Sequence, residues 1–148
     1  MLSKSYQESG KRLLDLILVL YALLFLLPFL GLVALAVRLS SRGPIFYTQT
    51  RVGKDGRLFQ AYKFRSMYVN NVDPSTTGEV TLDNPLVTPV GRIIRRLKID
   101  EIPQLWNVVK GDMSPVGPRS TIPEHVEDYT PQERRRLDVM PGLTAGRR

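Results

Sequence analysis

The chain has no cysteine and a single histidine, His125, among its 148 residues. The first absence excludes disulfides, Cys-ligated zinc and a cysteine nucleophile. The second excludes a His-rich metal site, and any Ser-His-Asp arrangement would have to use His125. Flanked by Glu124 and Val126, that histidine reads as a partly buried structural residue. There is no glycine-rich nucleotide fingerprint, no internal repeat and no low-complexity tract. Acids are outnumbered, 14 Asp and Glu against 21 Lys and Arg, for a net charge of +7. These absences leave carboxylates as the natural nucleophiles, bases and metal ligands. The charge implies an anionic partner: nucleic acid, anionic lipid or a phosphorylated substrate. Helix-turn-helix, zinc and aromatic-basic sheet signatures of a nucleic-acid binder are all missing.

One thing present in excess is an apolar run. Leu16 to Val37 gives 22 residues without a charge, long enough for a membrane helix and too long for a signal-peptide core. Residues 1–10 ahead of it are polar and expected to fray. Pro28 sits near the middle of the run with Gly31 close behind, which predicts a break or kink. Basic residues flank both ends: Lys4, Lys11 and Arg12 before, Arg38 and Arg42 after. Positive charge favours the cytoplasmic side. Basic residues at both ends therefore suit a re-entrant helix-break-helix over residues 11–42, with a spanning helix as the alternative.

Gly43-Pro44 closes the membrane segment. Ile45–Gln49 and Arg57–Phe64 are rich in aromatic and β-branched residues, and Asp55-Gly56 between them marks a turn, so the stretch predicts a hairpin. Residues 68–89, with several Pro, Asn, Asp and Thr, read as a loop. Thr88-Pro89 is an N-cap followed by proline at the first helical position. The short helix that follows is expected to turn Ile93, Ile94 and Leu97 inward and Arg92, Arg95 and Arg96 elsewhere. Thr130-Pro131-Gln132-Glu133 is a capping box that starts a last helix, ending before Pro141-Gly142.

The stretch with most chemistry is Arg95-Arg96-Leu97-Lys98-Ile99-Asp100-Glu101-Ile102-Pro103-Gln104-Leu105. Ile99, Ile102, Leu105 and Val109 recur at helical spacing, predicting a helix from Asp100-Glu101 to a stop at Gly111. Two acids at a helix start, after Arg92, Arg95, Arg96 and Lys98, suggest a divalent metal, phosphoryl chemistry, or both. On spacing alone, an acidic helix start complementing the macrodipole is the favoured reading of the pair. Arg119 ends a loop, residues 111–119, whose two glycines and two prolines force a specific path.

Taken together these motifs resemble the bacterial sugar transferases, the monotopic polyprenyl-phosphate phosphoglycosyltransferases. The resemblance starts at Lys11-Arg12 and Asp15. It includes Gly43-Pro44-Ile45-Phe46 and Gln49-Thr50-Arg51-Val52-Gly53. It continues through Lys63-Phe64-Arg65-Ser66-Met67, then Asp100 to Val108, then Lys110 to Arg119, and closes with Pro141-Gly142-Leu143-Thr144. The resemblance implies that Asp100 is a nucleophile on the sugar-bearing phosphate of a UDP-sugar and that Glu101 holds Mg²⁺. It implies phosphate- or uridine-side contacts for Arg95 and Arg119, with Lys63 and Arg65 as further candidates, and a membrane break at Pro28.

The implied fold is a mostly helical α/β domain with a small hairpin, carried on the re-entrant helix. The implied division is a polar tail at 1–10, a membrane segment at 11–42 and a cytoplasmic-face catalytic domain at 43–148. The family's continuation after Thr144 does not follow, which predicts a chain cut short at its C-terminus. The implied function is transfer of a sugar 1-phosphate from a UDP-sugar to polyprenyl (undecaprenyl) phosphate, starting glycan assembly at the bacterial inner membrane. The implied partners are those two substrates and anionic lipid head groups, with no nucleic acid; a homo-oligomer is compatible with it. The competing expectation is a basic membrane-anchored interaction module without chemistry.

Overall fold

The computed structural model describes residues 4–69 and 81–144, with side chains from Ser9 onward. The centre of the 68–89 loop and the last four residues lie outside that range, as do Met1 to Ser3.

Helix α1 runs Lys4–Ser40, 37 residues, or ~55 Å at 1.5 Å per residue. It departs from expectation at two places. The polar stretch from Lys4 to Gly10 is helical rather than frayed, because each residue added to an existing helix gains a hydrogen bond without a new nucleus. Pro28 lies inside the helix and does not end it. Proline removes one ladder bond and crowds the turn before it, while the bonds of the flanking turns persist. The expected helix-break-helix is thus one helix along the chain.

The chain packs as two compact units. One comprises Leu27–Thr48 and Tyr62–Pro103, and is called the acid-pair unit below. The other comprises the chain up to Leu26, Gln49–Ala61 and the chain from Gln104 on; it is called the C-terminal unit.

In the acid-pair unit the core is Val33, Val37, Phe64 and Ile94, with Leu30, Ala34, Ile45, Val90 and Ile99 packed against it. Residues 30, 33, 34 and 37 share one face of α1. The rings of Phe46 and Phe64 stack with centroids 5.3 Å apart. Helix α2 (Pro89–Arg96) begins as expected, with the Thr88 hydroxyl accepting from the Gly91 N–H. Its rotation corrects the sequence reading. Ile94 is buried, but Ile93 and Leu97 are 59% and 61% exposed. Gly91 fixes the orientation: a Cβ there would lie 2.0 Å from the Ser66 carbonyl oxygen. The face of Val90, Gly91 and Ile94 therefore turns in, and the 93/97 strip turns out.

The hairpin forms from β1 (Phe46–Val52) and β2 (Leu58–Phe64), joined by a 3-10 turn at Lys54–Gly56. Both strands give residues to both units. Asp55 and Gly56 take positive φ, 58° and 74°, the conformation that Asp tolerates and Gly prefers.

In the C-terminal unit, α3 (Leu105–Lys110) ends at Gly111, whose φ is 97°. Strand β3 (Ser114–Val116) pairs in parallel with β4 (Gly142–Thr144), Ser114 opposite Gly142. The sequence showed only a loop and an unfinished end at these two places. Glycine makes the pairing physically feasible, since a Cβ on Gly142 would meet the Gly117 nitrogen at 2.0 Å. Between the strands lie α4 (Pro123–Glu127) and α5 (Pro131–Arg134), the latter opened by the expected capping box. His125, expected to be partly buried, is exposed on α4. It sits in the last turn of a five-residue helix with no buried residue, so nothing covers it. Two cations of α1 bind within this unit. Lys11 donates to Asp15 and Ser114, each at 2.7 Å. Arg12 donates to the carbonyls of Val108 and Val109 at the end of α3, at 2.5 and 3.3 Å.

Candidate active site

Asp100 and Glu101 lie on a 3-10 turn, Ile99–Gln104, that leads into α3. The expected single α-helix is therefore divided. Pro103 sits inside the tighter turn, where its missing N–H takes one bond from any α-helical ladder. Lys98, just before the turn, has φ 59°. It occupies the left-handed position that follows a helix end, where glycine is usual. Its N–H donates to the Arg95 carbonyl at 3.1 Å.

The two acids differ. Asp100 is buried, only 8% exposed. Burial pushes its carboxyl above the usual carboxylate range, and neighbouring Glu101 pushes it further, while Lys63, Arg95 and Lys98 pull it back. Glu101 is ion-paired instead, with Lys63 Nζ 3.2 Å from its Oε1 and both side chains about four-fifths or more covered.

Neighbouring elements hold the cations in place. Lys63 sits near the end of β2. Arg95 donates from Nε to Ser66 Oγ at 2.7 Å, and Gly91 allows α2 to approach Ser66 that closely. The structure brings Asp100, Glu101, Lys63 and Arg95 together, with Lys98 beside them. Lys98 is visible in the sequence only as a charge; nothing there foretells its left-handed backbone. Ser66, inside the Lys63–Met67 motif, carries the signal for Arg95's support.

Arg65 is put to another use than phosphate contact. It is 5% exposed, and its guanidinium donates to Ser41 O at 2.7 Å, Arg42 O at 2.9 Å and Val37 O at 3.1 Å. It closes the C-terminal end of α1, where carbonyls lack helical partners. Gly43 leaves room for it, since a Cβ there would lie 2.2 Å from Arg65 Nη1. Burial, then Arg38, lowers the Arg65 pKa. Arg119 belongs to the C-terminal unit, where it borders a small cleft with Gly53, Tyr129 and Arg136.

The residues present fit a magnesium ion in one specific sense. Among the described residues no group of three His, Cys, Asp or Glu side chains gathers. A complete protein cage is therefore absent from that part of the chain. Magnesium is ordinarily held by one or two carboxylates, with water and substrate phosphate completing its shell, and the Asp100-Glu101 pair supplies that many. The donors are hard oxygens, with no sulfur or imidazole in the set.

Comparison with known proteins places this arrangement in context. Residues 6–147 match the family model described as bacterial sugar transferase. The undecaprenyl-phosphate glucose phosphotransferase of Komagataeibacter xylinus is 44% identical over 144 residues, covering 90% of this chain and 26% of that protein. The exopolysaccharide production protein PSS of Rhizobium leguminosarum bv. phaseoli is 41% identical over 144 residues, covering 90% of this chain and 70% of that protein. The UDP-glucose:undecaprenyl-phosphate glucose-1-phosphate transferase of Escherichia coli (strain K12) is 46% identical over 119 residues, covering 80% of this chain and 25% of that protein. The chain therefore spans about a quarter of two of these relatives and most of the third. With 142 of its 148 residues inside the family match, the chain belongs to the bacterial sugar transferase family.

Proposed function

We propose that this chain transfers a sugar 1-phosphate from a UDP-sugar to polyprenyl phosphate, with Asp100 as nucleophile. A carboxylate oxygen of Asp100 forms a bond to the sugar-bearing phosphorus. The bond from that phosphorus to the bridging oxygen breaks, and UMP leaves with the electron pair. The acyl phosphate left on Asp100 is itself a good leaving group. An oxygen of polyprenyl phosphate then attacks the same phosphorus, and the Asp100 carboxylate departs unchanged. Lys63, Arg95 and Lys98 oppose the upward push that burial gives the Asp100 carboxyl, and Arg95 offers a planar fork for phosphate oxygens. Glu101, with Asp100, would hold Mg²⁺, which supplies charge neutralisation for the diphosphate.

The membrane placement rests on α1. Among the described residues it is the one helix long and apolar enough to cross a bilayer, and Tyr21, Leu24 and Phe25 are each more than 70% exposed. Both of its ends are held by downstream chain: Arg12 by Val108, and Val37 by the core with Phe64 and Ile94. The basic residues Lys11, Arg12, Arg38 and Arg42 that flank both ends of the apolar run favour the cytoplasmic side and support a monotopic rather than a spanning reading.

The observation that carries the proposal is the buried Asp100 with raised pKa, beside an ion-paired acid and facing three cations. The test is a screen of UDP-sugars with Mg²⁺ and undecaprenyl phosphate. UMP release with one of them is the expected result. No release with any sugar, from protein that is folded in membrane, would leave the interaction-module reading standing.

A further inference from the structure

Lys98 breaks a backbone preference beside the acid pair. Its φ is 59°, a left-handed conformation that suits glycine or asparagine better than a long side chain. The turn itself, closed by the Lys98 N–H on the Arg95 carbonyl, would form with either of those. Nor does the helix end need the charge, since Arg95 and Arg96 already fill the last turn of α2. Side chains held in this region of the backbone gather at functional sites. The cations near Asp100 also differ in what they hold. Lys63 is paired with Glu101 at 3.2 Å, and its side chain is 16% exposed. Arg95 is half-buried and donates to Ser66 Oγ. Lys98 is exposed, and among the described residues its ammonium makes no hydrogen bond or ion pair. Its charge is nevertheless felt at the Asp100 carboxyl, whereas those of the equally exposed Arg92 and Arg96 are not. Ile99, the next residue, packs into the core with Val33 and Val37 of α1. The lysine is thus one residue from the part of the chain packed on α1 and two from the nucleophile.

We propose that Lys98 binds the phosphate of the incoming polyprenyl phosphate, and so serves the second half of the reaction, the discharge of the phosphosugar from Asp100. The inference rests on the two-step reading given above. In the first half the donor diphosphate meets Lys63 and Arg95, which protein groups hold in place before it arrives. In the second half two anions must approach each other: the lipid phosphate and the phosphoryl group on Asp100, with Glu101 alongside. Another cation is needed to offset that repulsion, and Lys98 offers one that no described group already holds. Its flexible stem lets the ammonium follow the lipid phosphate inward. An oxygen of that phosphate forms the new bond to phosphorus as the Asp100 oxygen leaves. Lys98 stays protonated and transfers no proton.

The experiment uses the full chain in a neutral detergent, with the UDP-sugar that gives UMP and undecaprenyl phosphate as the acceptor probe. Lys98→Asn removes the charge with a residue that suits the left-handed backbone, so the fold is kept. Lys98→Arg restores the charge. Single turnovers separate the two halves: adduct formation is followed by intact mass without acceptor, and discharge of the preformed adduct is followed as acceptor is added. Lys98→Asn should raise the acceptor concentration for half-maximal discharge roughly 10-fold, the effect of one lost charge-assisted contact. Adduct formation should change much less, and Lys98→Arg should recover most of the discharge. Discharge that matches the parent's at every acceptor concentration overturns the proposal. Equal slowing of both halves also overturns it, and assigns Lys98 to Asp100 or to the donor. A discharge defect that Lys98→Arg leaves in place overturns it in favour of the backbone. A defect that appears only when phosphatidylglycerol is added to the micelles overturns it in favour of bulk anionic lipid. No adduct in the parent protein removes the two-step reading itself, and this inference with it.

Discussion

The two units treat charge differently. In the C-terminal unit each ion pair has a solvated lysine: the side chains of Lys110 and Asp112, 3.6 Å apart, are 41% and 25% exposed, and those of Lys11 and Asp15 are 59% and 15% exposed. Among its described residues the one displaced carboxyl, Glu133, is held below its usual range by the backbone and hydroxyl of Thr130, a helix cap. In the acid-pair unit Arg92, Arg96 and Lys98 are exposed, but the paired Lys63 and Glu101 are largely covered. Asp100 and Arg65 are both nearly buried, and burial is the leading cause of each one's displaced pKa. Burying charge is costly, and cap chemistry alone would not require it. Displaced ionisation that burial and specific partners produce is a marker of functional sites. The contrast thus points to the acid-pair unit as the place where chemistry occurs.

The strongest way to break this contrast is Glu101→Gln. A neutral ligand holds a hard cation poorly, so turnover at low Mg²⁺ should fall by about 10–100-fold, the range seen when groups around a metal are altered, and recover in part as Mg²⁺ is raised. A rate curve against Mg²⁺ that matches the parent's would place the ion elsewhere. Arg65→Met comes next. It strips donors from three carbonyls and should cost roughly 1–3 kcal/mol, the penalty for an unpaired buried acceptor. Arg12→Met removes a half-buried guanidinium that serves the end of α3 in the same manner. Its cost should be nearer ~0.5–1.5 kcal/mol. Thermal unfolding in one detergent compares them; equal losses would erase the difference in burial as an explanation.

A smaller effect concerns pH. The folded-state pKa of Asp100 is raised, so its protonated form favours the fold, and that contribution disappears as pH rises through the raised value. Asp100→Asn should therefore melt higher than the parent at neutral pH in metal-free buffer, by roughly 2–4 °C if the relief is about 1 kcal/mol. The gain should close as pH falls below the ordinary aspartate value of ~3.9. A gap that is constant with pH would mean that the charge of Asp100 is not what burdens the fold. Smallest of all, Lys110→Met should change stability by less than about 0.5 kcal/mol, as solvated pairs do.

Much of this was legible in the sequence, for local reasons. The hairpin, the Thr88 cap and the Thr130 capping box are all specified by neighbouring residues, and each appeared where its signal stood. The grouping of Lys63, Arg95, Asp100 and Glu101 followed from motif resemblance rather than spacing. What could not be read depends on long-range contact. The rotation of α2 is set by Gly91 against Ser66, 25 positions away in the chain. The parallel pairing of Ser114 with Gly142 unites segments that look like loops when read alone. Arg65 was a candidate phosphate contact only through the family resemblance; the carbonyls it serves belong to residues 37–42. At Pro28 the helix continues through a strong local break signal.

The most direct test of the central claim is intact-mass analysis of the protein after incubation with Mg²⁺ and the UDP-sugar that gives UMP, without polyprenyl phosphate. The account predicts one added sugar phosphate per chain, mapped to the peptide containing Asp100, lost when polyprenyl phosphate is supplied, and absent from Asp100→Asn. An adduct of similar yield in Asp100→Asn, or UMP release with no adduct at any time point, would contradict it.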